Sequence, residues 1–387
     1  MSEISLRGRK ILHLVNHDAM VYQFLLPHLS WQISEGADVH LGCADWGRSD
    51  FLKGIGLKIT HIPFSLSPVK FISAFLKIRK LVTSEQFDII ITHTNVAGWI
   101  SRLALMSVGR KCDFHMLHAS FFDPKVPFLK RSIFIVMEKF FSSITRAYIT
   151  PNSFDKQYLV KQGFTAANNV CVTLGVGVDP LRMQVVEGNR IFETDLYKAE
   201  KQFIVGYLGR IIRKKGVAEL VKALYIANKN SKKRIKLIVA GEFYSRYFKF
   251  KLWLLILRYN LVDKVHFLGR LENPSSFFSW IDVLILPSRG EGEGFGMVIA
   301  EAAFARKPVI VTDVPCFRDI VTNGETGLVV PRRNSLALAL AIVKLSKDKV
   351  LCEKLSASLY STKHRYSVDE VLNRIKGFYY LYLANHE

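Results

Sequence analysis

The feature that most constrains this 387-residue chain is the repeated alternation of short, continuous apolar runs with longer amphipathic stretches. Seven apolar runs lie within residues 10–174 and six more within residues 203–330. Continuous apolar runs are typical of strands buried on both faces, and the amphipathic stretches between them suit the crossover helices of a parallel sheet. The pattern therefore predicts an α/β protein with two doubly wound, Rossmann-like domains.

Composition along the chain predicts where these domains begin and end. Residues 180–201 are polar and poorly patterned, so we interpret them as a linker between an N-terminal domain, residues 1–179, and a C-terminal domain, residues 202–367. Residues 368–387 carry many aromatic side chains, which predicts a helix that packs on a domain surface.

Several features predict a cytoplasmic protein. No apolar run reaches the roughly 18 residues that span a bilayer, because Glu138 with Lys139 and then Arg258 interrupt the two best candidates. The N-terminus shows no signal-peptide pattern. The five cysteines have neither disulfide-framework nor zinc-site spacing, so we expect them to be buried and reduced.

Charge indicates an anionic partner. The net charge of +21 attracts nucleic acid, an anionic membrane surface or phosphorylated substrates, and composition alone does not choose among them.

The sharpest local signal is PSRGEGEGFGMVIAEA, residues 287–302, directly after the apolar run VLIL. Gly294 and Gly296, on either side of Phe295, let a ligand approach the backbone closely. The helix predicted to begin there points its free N–H groups at the same place. This segment therefore predicts an anion-binding site.

Two glutamates accompany this segment. Glu293 and Glu301 stand eight residues apart, which corresponds to about 12 Å along a helix. The paired carboxylates of glycosidases are only about 5–9.5 Å apart. The wider spacing suits two carboxylates that hold opposite ends of one extended ligand.

A second signal, YLGRIIRKKG, follows the first apolar run of the C-terminal half. Gly209 and Arg210 end a predicted strand, and Lys215 with Gly216 opens the next helix, so two cations face the carboxyl edge of the sheet. Arginine offers a planar fork and lysine a point charge to phosphate oxygens. A diphosphate is the natural partner.

Together the two segments resemble the retaining glycosyltransferases of the GT-B fold, specifically the large bacterial family 4. The resemblance also includes PVIVTDVPCFRDIVTNGETGLVVP, residues 308–331, and covers the C-terminal half specifically and the N-terminal half loosely. It implies two Rossmann-like domains facing each other across a cleft. It also implies a hexosyl- or N-acetylhexosaminyl-transferase that uses a UDP- or GDP-sugar and retains anomeric configuration.

The resemblance implies roles for individual residues. Arg210 and Lys215 would neutralise the donor diphosphate, Glu301 would accept bonds from the ribose hydroxyls, and Glu293 would hold the sugar hydroxyls. Backbone amides of the glycine-rich loop would complete the cradle. The implied donor-binding set is Gly209, Arg210, Lys215, Glu293, Gly294, Phe295, Gly296 and Glu301.

In the N-terminal half, the family places a histidine after a strand, and His118 after FHML matches it best. We therefore expect His118 to orient the acceptor or the sugar, as a fourth catalytic residue with Glu293, Arg210 and Lys215. His93, His115, Asn16 and His17 lie at other predicted strand ends. Histidines in such positions are more often structural.

One segment departs from the family pattern. Many members have a Gly-Gly loop after the first strand, whereas residues 15–20 of this chain read VNHDAM. This leaves open whether the N-terminal domain contacts the donor phosphate. We expect metal independence and no cofactor beyond the nucleotide-sugar co-substrate, because the chain has no D-x-D motif and no His/Cys ligand cluster.

Two stretches, residues 120–141 and 243–260, combine aromatic residues and leucines with Lys and Arg. This pattern is typical of helices that lie in the headgroup region of an anionic membrane, although ordinary covering helices can also produce it. With the family resemblance, it implies a glycan or polyprenyl-linked acceptor, as in O-antigen, capsule or lipopolysaccharide assembly. We expect the protein on the inner face of the cytoplasmic membrane.

Three other functions fit less well. A nucleic-acid-binding protein could use the charge, but no RNP, zinc-finger or helix-turn-helix pattern is present, so we expect no nucleic acid partner. A dinucleotide oxidoreductase would need GxGxxG after a first strand. A nucleotide-sugar epimerase of the same fold stays an alternative, which its products would distinguish.

Overall fold

A computed structural model describes residues 5–119, 121–183, 202–271, 273 and 275–384. The chain forms two compact units, one from Met1–Val176 with Val368–Glu387 and the other from Gly177–Ser367. Most of the predicted linker, residues 184–201, lies outside the described residues. In the part of the chain that is described, no helix is long and apolar enough to cross a bilayer.

The first unit is built on a seven-stranded parallel sheet with the order β3-β2-β1-β4-β5-β6-β7. Its strands are β1 (Lys10–His17), β2 (Asp38–Ala44), β3 (Lys58–His61), β4 (Ile89–His93), β5 (Cys112–Met116), β6 (Thr145–Thr150) and β7 (Val170–Val172). Both β4 and β5 are buried along their whole length, as expected of strands covered on both faces. The strand order reverses between β1 and β4, so the carboxyl ends of these two strands form a topological switch point.

Helices connect these strands and cover both faces of the sheet. They are α1 (Asp18–Met20), which continues into a π-helical turn (Val21–Leu25), α2 (Leu26–Ser34), α3 (Ser49–Gly54), α4 (Pro68–Ser84), α5 (Asn95–Ser107), α6 (Phe128–Ser142) and α7 (Ser153–Lys161).

The second unit repeats this architecture with a six-stranded parallel sheet of order β10-β9-β8-β11-β12-β13. Its strands are β8 (Gln202–Leu208), β9 (Arg234–Ala240), β10 (Val265–Gly269), β11 (Val283–Leu286), β12 (Val309–Thr312) and β13 (Leu328–Val330). Its helices are α8 (Val217–Asn230), α9 (Arg246–Arg258), α10 (Ser275–Ser279), α11 (Met297–Phe304), α12 (Ser335–Lys347) and α13 (Lys349–Ser361). Here the strand order reverses between β8 and β11.

The last helix, α14 (Val368–Ala384), joins the core of the first unit. Tyr379 stacks on Phe114 of β5, with ring centroids 4.4 Å apart and planes inclined by 10°. The Tyr382 hydroxyl donates to Asp113 at 2.7 Å. The helix therefore contributes both apolar packing and a buried hydrogen bond.

The prediction of two doubly wound parallel sheets is confirmed. Each predicted run overlaps one observed strand, because buried parallel strands need continuous apolar sequence whichever neighbours they pair with.

Candidate functional site

The predicted donor loop connects β11 to α11 at the carboxyl edge of the second sheet. Open α/β sheets bind ligands at this edge, near the switch point that β8 and β11 form here. Glu293 of the loop is only 8% exposed and accepts a hydrogen bond from the Ser288 hydroxyl at 2.5 Å. The loop therefore holds a buried carboxylate at a ligand-binding edge.

Lys215 supplies the countercharge. Its Nζ lies 2.7 Å from Oε1 and 2.9 Å from Oε2 of Glu293. Burial alone would raise the pKa of Glu293, but the charge and hydrogen bonds of Lys215, with the bond from Ser288, hold that pKa below its usual value. An ammonium has three N–H donors. Two contact Glu293, and among the described residues the third has no acceptor, so it is available to a ligand.

Gly216 explains how Lys215 comes so close to the loop. Its φ is +77°, and a Cβ there would lie 1.8 Å from the carbonyl oxygen of Pro287. Only glycine permits this approach of the two backbones. A hydrogen bond from the Arg289 amide to the Lys214 carbonyl oxygen, 2.9 Å long, fixes the contact.

Arg210 follows β8 and is exposed. The Tyr207 hydroxyl donates to its carbonyl oxygen at 2.8 Å, which holds the backbone beside Gly209, whose φ is +144°. No ion pair engages the Arg210 guanidinium within the described ranges, so it is free to meet an anion.

Glu301 differs from Glu293 although both were predicted donor ligands. It lies in the first two turns of α11, and burial raises its pKa to about 7. In the described part of the chain no cation pairs with its carboxyl group. Such a group is stabilised by hydroxyl donors, which fits the ribose contact that the sequence predicts.

The glycine-rich turn is held by packing. Phe295 is buried and lies 5.8 Å from the ring of Tyr366. Gly296 caps α11 with a φ of +91°, and a Cβ there would come within 2.7 Å of the Phe317 ring. Packing therefore fixes the turn at the start of α11. Binding of the donor by the amides of Gly294, Phe295 and Gly296 stays a prediction.

Sequence reasoning missed a cavity of about 310 Å³ at the carboxyl ends of β9 and β10. It is lined by Gly241, Phe243, Lys249, Trp253, Phe267 and Gly269. The rings of Phe243 and Phe267 lie 5.3 Å apart. Aromatic residues just after β9 and within β10 were the available signal, but their side chains come together only once the strands pair.

In the first unit, the structure places His118 after β5 and bonds it to a second histidine. Its Nε2 lies 3.2 Å from Nδ1 of His93, and Nε2 of His93 lies 2.9 Å from Nδ1 of His13. His13 was not singled out from the sequence, and His93 was interpreted as structural. Both are fully buried, and His118 is half-buried.

The remaining candidates at these strand ends have local partners. Asn16 accepts a hydrogen bond from the Ala97 amide at 3.1 Å, and His115 contacts the Thr92 hydroxyl at 2.8 Å. These contacts are structural. The ring of His17 stacks on Trp46, with centroids 3.9 Å apart.

The segment that replaces the Gly-Gly loop is ordered by Asp18. Its carboxylate accepts hydrogen bonds from the amides of Trp46 and Arg48 and from the Ser49 hydroxyl, all between 2.8 and 2.9 Å. This fixes the loop after β2 and leaves Trp46 67% exposed. The segment that departs from the family pattern is therefore an ordered turn, which the Asp18 side chain stabilises.

Comparisons with known proteins find family models that match both halves of the chain. The protein-family model "Glycosyl transferases group 1" matches residues 190–361, and the family model "Glycosyltransferase Family 4" matches residues 29–179. The chain is similar to CapM of Staphylococcus aureus, a capsular polysaccharide biosynthesis glycosyltransferase, with 25% identity over 99% of this chain and 100% of CapM.

A further relative and a solved structure extend the likeness. The UDP-Gal:alpha-D-GlcNAc-diphosphoundecaprenol alpha-1,3-galactosyltransferase of Escherichia coli is 22% identical over 82% of each chain. The crystal structure of Anabaena HepE in complex with UDP and glucose matches with a TM-score of 0.74 and 18% identity, covering 96% of this chain and 99% of HepE. At that identity the structural match shows the fold alone.

Proposed function

The chain belongs to the family 4 glycosyltransferases of the GT-B fold, and from this premise we propose that it moves a sugar from a UDP- or GDP-sugar to a glycan or lipid-linked acceptor. The transfer retains anomeric configuration and contributes to a cell-surface polysaccharide such as capsule, O-antigen or lipopolysaccharide. The names of its relatives support this setting, since they act in capsule synthesis and on a diphosphoundecaprenol-linked sugar.

The observation that carries the proposal is the ion pair of Lys215 with the buried Glu293. The carboxylate orients the ammonium and leaves one N–H for the β-phosphate of the donor, while Arg210 offers a planar fork to the same diphosphate. Charge that develops on the leaving nucleotide then meets cations already in place. Fixed cations need no reorganisation during the reaction.

Glu293 and Glu301 contact different parts of the donor. Glu293 stays ionised and accepts hydrogen bonds from the sugar hydroxyls, while Glu301 accepts from the ribose hydroxyls. His118, which follows β5 beside the switch point of the first sheet, orients the acceptor or the transferred sugar.

We also propose that the protein binds the inner face of the cytoplasmic membrane. Helix α9 is apolar on two faces: Leu252 and Ile256 are buried in the core, whereas the opposite stripe is exposed. That exposed stripe consists of Tyr247, Phe250, Leu254 and Leu257. Arg246, Lys249, Lys251 and Arg258 lie on the same helix, and an anionic surface attracts such residues.

Helix α6 supports the same proposal from the first unit. Phe134, Glu138 and Phe141 are buried, and the exposed side carries another apolar stripe at helical spacing. The members of this stripe are Leu129, Ile133, Val136 and Phe140. In helix α9, Phe248 is half-buried against the core of the second unit, so it is not part of the exposed apolar stripe of that helix.

A panel of UDP-, GDP- and ADP-sugars tests the donor assignment by thermal shift. A ligand at a hundred times its Kd stabilises the fold by about 2.7 kcal/mol, which is readily measured. The stabilising sugar is then supplied in radiolabelled form with membrane lipid extract. Transfer into the lipid fraction is the expected result. Free sugar or an isomer formed without acceptor would favour the epimerase alternative, and no response to any nucleotide sugar would overturn the proposal.

A further inference from the structure

A hydrogen-bonded series of side chains runs from the interior of the first unit to its carboxyl edge. Gln32 of α2 contacts His13 of β1, His13 contacts His93 at the end of β4, and His93 contacts His118 after β5. The three distances are 2.8, 2.9 and 3.2 Å. We call these four residues the histidine relay. It crosses three adjacent strands of the sheet at the switch point.

Burial makes the histidines of the relay neutral. It lowers the pKa of His13 and of His118 to about 4. Burial and then the neighbouring histidines hold the pKa of His93 well below its usual value. A neutral imidazole carries one N–H and one lone pair. Each ring in the relay must therefore donate through one nitrogen and accept through the other.

Gln32 sets the direction of this series. Its amide oxygen faces Nε2 of His13 at 2.8 Å, a normal length for an N–H···O bond, while its NH₂ group contacts Nε2 of His28 and the Tyr379 hydroxyl at 3.3 Å each. An oxygen can only accept, so His13 carries its proton on Nε2. Its Nδ1 must then accept from Nε2 of His93.

The same argument applies to the ring of His93. If Nε2 of His93 donates, its Nδ1 accepts, and the donor to it is Nε2 of His118. Among the residues that the structure describes, no hydrogen bond occupies Nδ1 of His118. That nitrogen keeps a lone pair at the carboxyl edge of the sheet.

We infer that Gln32, acting through His13 and His93, fixes His118 in the Nε2–H tautomer, so that its Nδ1 accepts a hydrogen bond from a saccharide hydroxyl. Gln32, His13 and His93 are then positioning residues, and His118 is the residue that touches substrate. This inference rests on the proposed function, because it assigns the ligand class of a site already placed in that reaction. It gives Nδ1 of His118 a hydroxyl group as its partner. It excludes a phosphate, because phosphate oxygens need a hydrogen-bond donor and this nitrogen is an acceptor.

Nitrogen-15 NMR of the histidine rings tests the tautomer without any enzymatic assay. Protonated and unprotonated ring nitrogens have well-separated shifts, and each ring is assigned by the His→Asn variant that removes its signals. We expect Nε2–H in His13, His93 and His118 at neutral pH. An Nδ1–H tautomer of His118 in the parent protein would overturn the inference. This readout stays valid even if the proposed activity is wrong.

Variants of Gln32 test the control exerted on His118. Gln32→Leu removes the acceptor, and we expect the His118 signals to show a mixture of tautomers. Gln32→Glu keeps an acceptor facing His13 and should preserve the Nε2–H form. Tyr382→Phe is the matched control, since it removes a buried hydroxyl of the same core whose bonds go to Asp113 and Arg146. An unchanged His118 tautomer in folded Gln32→Leu would refute control by Gln32.

Activity gives a second, separable readout. In a transfer assay Gln32→Leu should lower turnover about tenfold, while the affinity for free nucleotide, which the second unit binds, stays at the parental value. Gln32→Glu should recover most of the loss. Equal losses in Gln32→Leu and Tyr382→Phe would indicate a merely structural role and contradict the inference.

Discussion

The two sheets share one architecture, yet their carboxyl edges present opposite chemistry. In the second unit the edge is ionic, with Lys215 paired to the buried Glu293 and an exposed Arg210 after β8. In the first unit the part of the edge that β4 and β5 form is neutral, because burial keeps His93 and His118 uncharged. The fold supplies the same geometry twice, and side chains alone decide what each edge can hold. Under the proposed function, the ionic edge suits a diphosphate and the neutral edge suits uncharged hydroxyls.

The largest effect should come from Lys215→Ala, which breaks the ionic edge. It removes a donor from the leaving diphosphate and leaves Glu293 buried without its countercharge, so we expect turnover to fall by about a hundredfold or more. Steady-state transfer with the stabilising nucleotide sugar measures this. Lys222→Ala, an exposed lysine on α8, is the control and should behave like the parent. Near-parental turnover in folded Lys215→Ala would show that the ionic edge is not the donor site.

A smaller loss, about tenfold, is expected for Arg210→Ala. Arg210 is solvent-exposed, so its removal leaves no buried charge without a partner. Only the stabilisation of negative charge on the leaving group is lost. The same assay with Arg79→Ala, an exposed arginine of the first unit, provides the baseline. Added Mg²⁺ should not restore activity. Full rescue by a divalent ion would contradict the idea that fixed cations do this work.

The two glutamates should differ in the protons they exchange. At pH 7 the Glu301 carboxyl, with a pKa of about 7, is half protonated in the free protein. Hydroxyl donors of the nucleotide stabilise its carboxylate and lower that pKa, so binding should release about half a proton per nucleotide. Nucleotide affinity should therefore weaken as pH falls through this pKa.

Calorimetry in two buffers of different ionisation enthalpy measures this release at pH 7. Glu301→Gln should abolish it. Glu293→Gln should leave it unchanged, because the pKa of Glu293 is already below its usual value in the free protein. Proton release that survives in Glu301→Gln would mean that another group faces the nucleotide.

The smallest effect concerns the membrane. The double variant Phe250→Ser with Leu254→Ser should weaken binding to anionic vesicles by roughly fivefold, because two exposed apolar side chains no longer enter the interface. High salt should release part of the parent protein and leave the apolar contribution. Leu340→Ser, an equally exposed leucine on α12, should sediment like the parent. If the parent ignores anionic vesicles at low salt, a soluble acceptor becomes the better hypothesis.

The donor loop could be predicted because its signals are local. Glu293, Gly296 and Glu301 lie within nine residues, and the apolar run before them locates the strand edge. The pairing of Lys215 with Glu293 was not predicted, although both were assigned to the site. The two residues are separated by 78 positions, and only the return of β11 to the side of β8 brings them together.

The histidine relay was harder to predict from the sequence than the donor loop. His13 lies inside an apolar strand and Gln32 on a helix, and neither position distinguishes a relay from ordinary core packing. Helix α9 shows a different difficulty. Its apolar residues surround the axis, so periodicity could not tell the buried side, with Phe248, from the exposed side, with Phe250.

The membership of α14 in the first unit has a consequence for synthesis on the ribosome. Its Tyr379 covers Phe114 in the core of the first sheet, but the helix follows the whole second unit in the chain. The first unit therefore cannot finish its core until the whole second unit and α14 have been synthesised, although domains usually complete folding in the order of translation. Until α14 arrives, the surface around Phe114 stays open to chaperones, and the second unit is the one that can mature first.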